Sequence, residues 1–127
     1  MADDHAAKAI SSYGGGLNDT PNIDRIAHEG VRFDHCYVTN SICTPSRAAI
    51  LTGTYNHVNC VKTLDTHMDN DLPHVAKHLQ TGGCQTAIGG KWHLGEGKSH
   101  EANVFNFWSV LPGQGEYFDP FMIEMGK

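Results

Sequence analysis

Two helices in this chain are punctuated in the same way, and the punctuation limits the folds open to it. Thr20-Pro21 and Thr44-Pro45 each set a capping hydroxyl before a proline, and Gly30 and Gly53 close the segments that follow. Proline has no N–H to lose at a helix start, and glycine accepts the left-handed turn that ends one. Between them Val31 to Val38 (VRFDHCYV) alternates with period two, which predicts a strand. Residues 55–69 read as irregular. Asp71-Leu72-Pro73 then opens a third helix, with Val75, Ala76 and Leu79 predicted inward and Gly82-Gly83 as its stop. Thr86 to Ile88 reads as a second short strand, and Gly89-Gly90 releases the chain into Lys91-Trp92-His93-Leu94-Gly95. The tail from Phe105 to Ile123 is aromatic-rich and broken by Pro112, Gly113 and Gly115, as a hairpin or a packed loop would be. Helices alternating with strands predict an α/β fold with a mostly parallel sheet flanked by helices.

The 127 residues suffice for one modest domain, and a net charge of −5 with no basic run argues against nucleic acid as a partner. No stretch is apolar for long enough to span a bilayer, so no membrane partner is expected. The opening MADDHAAK lacks the basic start and apolar core of a signal peptide. The four cysteines form no CxxC pair, which argues against a zinc ribbon or thioredoxin motif. Cys36 and Cys84 read as small buried residues of strands. Among nine histidines, His74 and His78 stand four apart, yet no third ligand accompanies them, and a solvated face beside Lys77 is expected. His28, His35, His67 and His100 have no motif around them.

Chemistry concentrates elsewhere. Ligands of open α/β sheets bind beyond the carboxyl ends of strands. Cys43 is predicted just after the first strand, and Lys91 and His93 just after the second. Asp3 and Asp4 would share that edge if a strand preceded them. A helix N-terminus at Cys43 favours an anion, and Arg47 can fold back over the same helix end. Lys91 adds a compact positive charge, and His93 can give or take a proton. Asp3 and Asp4 are hard oxygen donors suited to calcium or magnesium. Taken singly, these features also fit a solvated turn, a turn around a packed Trp92 and an ordinary helix start.

Cys43-Thr44-Pro45-Ser46-Arg47 followed by Leu51-Thr52-Gly53 resembles the signature C-x-P-S-R-x-x-x-L-T-G of the cysteine-type, formylglycine-dependent sulfatases at every fixed position. Gly90-Lys91-Trp92-His93-Leu94-Gly95 is similar to that family's second signature, and Ala2-Asp3-Asp4-His5 to its N-terminal metal motif. Thr20-Pro21-Asn22-Ile23-Asp24 is similar to the segment that follows, and Leu111-Pro112-Gly113-Gln114-Gly115 to bacterial members acting on sulfated glycans, amino-sugar 6-sulfates among them.

The resemblance implies an alkaline-phosphatase-like fold, a sulfuric ester hydrolase, and a substrate that is a sulfated carbohydrate or aryl sulfate. It implies that Cys43 is oxidised to formylglycine by a formylglycine-generating or radical SAM maturation enzyme. One hydroxyl of the hydrated aldehyde attacks sulfur and expels the alcohol; the other loses its proton and ejects sulfate. It implies calcium held by Asp3, Asp4 and residue 43, with Arg47 steadying that site, Lys91 on the sulfate and His93 on the diol. His5 and His57 fall near the motifs and are candidates for the sugar subsite.

Members of that family are several times longer. Residues 1–127 therefore read as one partial domain, the N-terminal portion of the catalytic domain. Its first strand and export signal would lie upstream of Met1, its remaining ligands beyond Lys127, and its parent would be periplasmic or secreted. Carboxylates on a frayed end are held poorly, so this stretch alone is expected to bind metal weakly and turn over slowly or not at all. Two alternatives stand beside the sulfatase: a phosphonate or phosphate ester hydrolase of the same superfamily, and a non-catalytic anion- or metal-binding domain that keeps Cys43 as a thiol.

Overall fold

Helices form where proline and glycine mark them, whereas the first predicted strand does not form. The computed structural model describes residues 1–95 and 101–125, so His100 lies outside the described residues. Met1–Tyr37 and Val38–Lys127 are two compact units.

In Met1–Tyr37, two 3-10 turns, Ala7–Ala9 and Ser11–Tyr13, precede helix α1, Pro21–Glu29. No residue of this unit is buried, so its order rests on polar contacts. The Asp24 carboxylate accepts from the Ser11 hydroxyl at 2.5 Å, the Ser12 N–H at 2.9 Å and the Thr20 hydroxyl at 3.0 Å. Thr20 is the N-cap residue, but its hydroxyl bonds to Asp24 and to the Ser11 N–H and makes no cap bond within the helix. These bonds, Ser11 foremost, hold the Asp24 carboxyl below its ordinary value of 3.8.

Residues 31–38 are bends and extended chain without ladder partners among the described residues. Alternation supplies a candidate face, but a strand needs a neighbour, and Met1–Tyr37 contains none. Val31, Phe33, Tyr37 and Val38 are exposed instead. Arg32 pairs with Asp34, and Tyr13 donates to the Phe33 carbonyl at 3.1 Å. Cys36 is exposed for the same reason, and Cys84 is exposed in the turn after the last helix. Both therefore depart from the predicted buried positions, and all four thiols are free.

In Val38–Lys127, helix α2 spans Cys43–Thr52, α3 Asn56–Asn59 and α4 Val75–Thr81. Strands β1 (Ala87–Lys91), β2 (Phe107–Leu111) and β3 (Ile123–Glu124) form one sheet in the order β1-β2-β3. β1 runs parallel to β2, with Ile88 opposite Trp108, and β3 runs antiparallel. The sheet is thus mixed, and the tail closes back through a long connection. Gly53 at φ +65° ends α2, its N–H bonding the Ala49 carbonyl at 2.9 Å.

The core gathers Ala48 of α2, Val61 and Met68 of the following loop, Trp92 and Leu94 after β1, Ala102, and Trp108 and Val110 of β2. Trp92 packs edge-on to Phe105 with ring centroids 6.1 Å apart. Only Ala76 of α4 is buried, while Val75 and Leu79 face outward, contrary to the periodicity. The helix is short, and its inward anchor is the residue before it.

That anchor is His74, 1% exposed and facing Phe105, so it shares no solvated face with the exposed His78. Neither of its ring nitrogens has a hydrogen-bond partner among the described residues. Burial first, then the positive charges of Lys77 and His78, push its pKa below the ordinary 6.5. The described residues contain no helix long and apolar enough to cross a membrane.

Two pH effects follow from these lowered values. The contribution of neutral His74 is complete above pH 6.5 and is lost as pH falls toward its lowered folded value, because the unfolded chain protonates first. Melting curves between pH 7 and 5 should show this loss, and His74→Phe should flatten it. The contribution of Asp24 is complete above pH 3.8 and is lost below it. Asp24→Asn should accelerate amide exchange at Ser12 at neutral pH, measured by NMR.

Candidate active site

The site begins with how α2 starts. Cys43 is its first residue and Ile42 its N-cap, one position earlier than the Thr-Pro device predicts. Thr44 lies inside the helix, 1% exposed, and its hydroxyl donates across to the Leu64 carbonyl at 3.3 Å. The Ile42 side chain has no acceptor, so no side-chain cap covers the first N–H groups. Pro45 contributes none. The N–H groups of Cys43 and Thr44 therefore open the positive end of a ten-residue helix.

Arg47, one turn on, is 7% exposed. Its Nη1 donates to the backbone carbonyl of Lys91 at 2.5 Å, joining the first turn of α2 to the last residue of β1. The Lys91 side chain then reaches back, with Nζ 3.6 Å from Cys43 Sγ. The same Nζ donates to Gln114 Oε1 at 2.6 Å. The structure thus brings Cys43, Arg47 and Lys91 together, although Cys43 opens a helix and does not follow a strand.

His93 lies two residues beyond β1 at φ +52°. That left-handed conformation costs a non-glycine residue about 1–2 kcal/mol and is common where function fixes a side chain. His93 borders a cavity of about 270 Å³ that Asp65, His67, Leu64, Gly95 and Gly113 complete. His57 stacks on Tyr55, with ring centroids 5.8 Å apart, and both are exposed. Asp3, Asp4 and His5 belong to Met1–Tyr37 and are exposed.

The donor chemistry of Asp3 and Asp4, two adjacent carboxylates, fits a hard cation. Asp4 adopts φ +50°, an uncommon conformation for a non-glycine residue. The described residues contain no group of three or more His, Cys, Asp or Glu positioned to hold a metal.

Four residues are given no role by the sequence alone. Gln114 lay in the tail motif, but only the fold sets its amide against Lys91. His67 and Asp65 sit in an irregular loop whose position depends on distant carbonyls. Asn56, 9% exposed, fixes the start of α2: its Nδ2 donates to the carbonyls of Pro45 and Val61, both at 2.8 Å, and its Oδ1 accepts from Thr39 at 2.9 Å.

Asn56→Ala removes a buried amide that donates to the carbonyls of Pro45 and Val61 and should cost about 1–3 kcal/mol in urea unfolding. Arg47→Lys keeps the charge but loses the planar fork, and should cost about 1.5–3 kcal/mol in the same assay.

The sulfatase family model matches residues 1–122. Over 130 positions the chain is 48% identical to the N-acetylglucosamine-6-O-sulfatase of Bacteroides thetaiotaomicron, covering 100% of this chain and 23% of that protein. It is 41% identical over 108 residues to arylsulfatase A of Bos taurus, covering 76% and 20%. It also superimposes on the solved structure of BT4656 in complex with its substrate D-glucosamine-2-N,6-O-disulfate. That match has a TM-score of 0.89 at 47% identity, over 100% of this chain and 26% of that one. The chain spans about a quarter of the length of these relatives. Its α/β architecture is part of their alkaline-phosphatase-like fold, and the chain belongs to the sulfatase family.

Proposed function

We propose that this chain carries part of the catalytic centre of a sulfuric ester hydrolase acting on a sulfated carbohydrate. One observation carries the reading: the Lys91 ammonium stands 3.6 Å from Cys43 Sγ, at the uncapped N-terminus of α2. A helix N-terminus and an ammonium meet at residue 43, which suits a tetrahedral anion. The family is generally formylglycine- and metal-dependent, and the 48% identical relative is named as acting on an N-acetylglucosamine 6-O-sulfate.

Cys43 is then the residue converted to formylglycine by a maturation enzyme, and its hydrated form is the nucleophile. Lys91 binds the ester's sulfate oxygens and balances the charge that grows on them as the alcohol leaves. Gln114 limits the directions in which the Lys91 ammonium can point. Arg47, tied to the Lys91 carbonyl, holds helix and strand in register, so residues 43 and 91 keep their spacing. His93 holds or moves the proton of the second hydroxyl, whose loss lets sulfate depart. Asp3 and Asp4 are the carboxylates that would hold calcium, which supplies Lewis-acid charge stabilisation when bound. The protein that carries this chain acts on glycans outside the cytoplasm, in the periplasm or after secretion.

The test is mass spectrometry of the tryptic peptide Phe33 to Arg47 from protein produced with a formylglycine-generating enzyme. The expected result is an aldehyde at residue 43 that reacts with a hydrazide; an unmodified thiol would favour a binding module. Matched sulfate and phosphate esters then separate the reaction classes, and hydrolysis of the phosphate alone would overturn the sulfatase reading. Lys91→Ala should weaken inorganic sulfate binding at least ~10-fold, as loss of one charged hydrogen bond implies.

A further inference from the structure

We propose that His74 is a positioning residue for the anion site and makes that site acid-sensitive: its neutral ring supports Phe105 and, through it, Trp92, and protonation withdraws the support. The inference rests on the sulfatase reading above and adds a form of regulation to it.

The contacts run in one line. The His74 ring, 1% exposed, stacks on Phe105 with ring centroids 6.2 Å apart and planes 30° apart. Phe105 meets Trp92 edge-on at 6.1 Å. Trp92 is buried and stands in the sequence between Lys91 and His93. The Lys91 carbonyl holds Arg47, and the Lys91 ammonium lies at Cys43. In a close-packed interior the seat of the indole therefore bears on where residue 91 sits, and Phe105 is one of the surfaces that fix the indole.

The segment bearing Phe105 is clamped by the stretch that bears His74. Asn70 Nδ2 donates to the Glu101 carbonyl at 2.7 Å and to Asn103 Oδ1 at 3.0 Å, and Gln80 Nε2 donates to the Val104 carbonyl at 2.8 Å. The Lys77 ammonium donates to the Asn70 carbonyl. Between Asn70 and Gln80, His74 alone among the titratable residues is buried.

A proton added to this ring meets no acceptor. Neither nitrogen has a hydrogen-bond partner among the described residues. The neutral ring leaves one N–H unpaired, whereas the imidazolium leaves two and holds a charge out of water. The charged groups of the surrounding elements do not offset it. On α4 itself Lys77 and His78 oppose a positive ring. The preceding loop brings Asp69 and Asp71, both exposed, and the segment 101–106 brings Glu101; none of the three bonds to the ring. α2, which packs on α4, brings Arg47, a further cation, and β2 has no charged residue. Turning the ring out to water relieves the charge and takes away the face on which Phe105 rests. The lowered pKa of His74 puts this change below pH 6.5.

The test follows the 127-residue chain by NMR from pH 8 to pH 5, with and without inorganic sulfate. As the His74 ring titrates, the Trp92 indole and the Lys91 amide should shift with the same midpoint, while the Trp108 indole on β2 holds. Sulfate affinity should fall ~10-fold over that range, as loss of the Lys91 contact implies. Sulfate keeps its charge and the exposed His67 and His78 gain positive charge, so attraction alone would tighten binding instead. His74→Phe keeps an aromatic face and cannot titrate; it should bind sulfate as wild type does at pH 8 and keep that affinity at pH 5. His74→Gln, without a ring, should bind weakly at both. A Lys91 amide indifferent to His74, sulfate binding that holds or tightens in acid, both indoles moving together as in global unfolding, or a wild-type pH response in His74→Phe would each overturn the proposal. Should His74→Phe not fold, the coincidence of the wild-type midpoints decides. Absence of sulfate shifts at residues 43–47 and 91 at pH 8 would count against the sulfatase reading, and the His74, Trp92 and Lys91 signals would still decide the role of His74.

Discussion

A buried guanidinium holds this structure together. Arg47 leaves the first turn of α2, is almost wholly out of water, and ends on the carbonyl of Lys91 at the close of β1. Burying a cation is costly unless its protons find acceptors, so the bond constrains both elements at once. Sliding the helix along the strand would break this bond. Because Cys43 lies four residues before Arg47 and the Lys91 side chain starts from the bonded residue itself, the register that satisfies arginine also sets the spacing of thiol and ammonium. Asn56 adds the second tie, from α3 to the Pro45 carbonyl, so the start of α2 is fixed from two directions.

The two compact units keep their order by different physics. Val38–Lys127 has an apolar core in which Met68, Val61 and Leu94 are fully buried, and the loop lining the cavity hangs from that core. Met1–Tyr37 has no buried residue and depends on directional bonds to a single carboxylate. Truncating a core side chain such as Leu94 would remove area and leave a cavity. Changing Asp24 would remove no area at all, yet it would release the Ser11, Ser12 and Thr20 donors together.

Punctuation and motif residues were legible in the sequence; pairing and depth were not. Pro21, Pro45, Gly30 and Gly53 act locally, so the helices at 21–29 and 43–52 follow from the residues themselves. The segment 31–38 shows the limit: its alternation is real, but strand formation depends on a neighbour that no local pattern reveals. His74 shows another. Four-residue spacing with His78 suggested a shared solvated face, while the turn before α4 put His74 inside. Cys43, Arg47 and Lys91 stand in tightly spaced motifs, and the fold brings the three together. Gln114 is not singled out by the sequence, since only the fold sets its amide against Lys91.

Among the described residues β1 is an outer strand of the sheet, and its central residues are Gly89 and Gly90, the latter at φ +89°. Flat, regular outer strands invite a second molecule to add itself by backbone pairing. Here the pleat is interrupted midway, and no side chain stands there for a visitor to pack against. Within the described sheet, the same glycine pair that frees the chain to present Lys91 therefore makes this border a poor template for added backbone pairing.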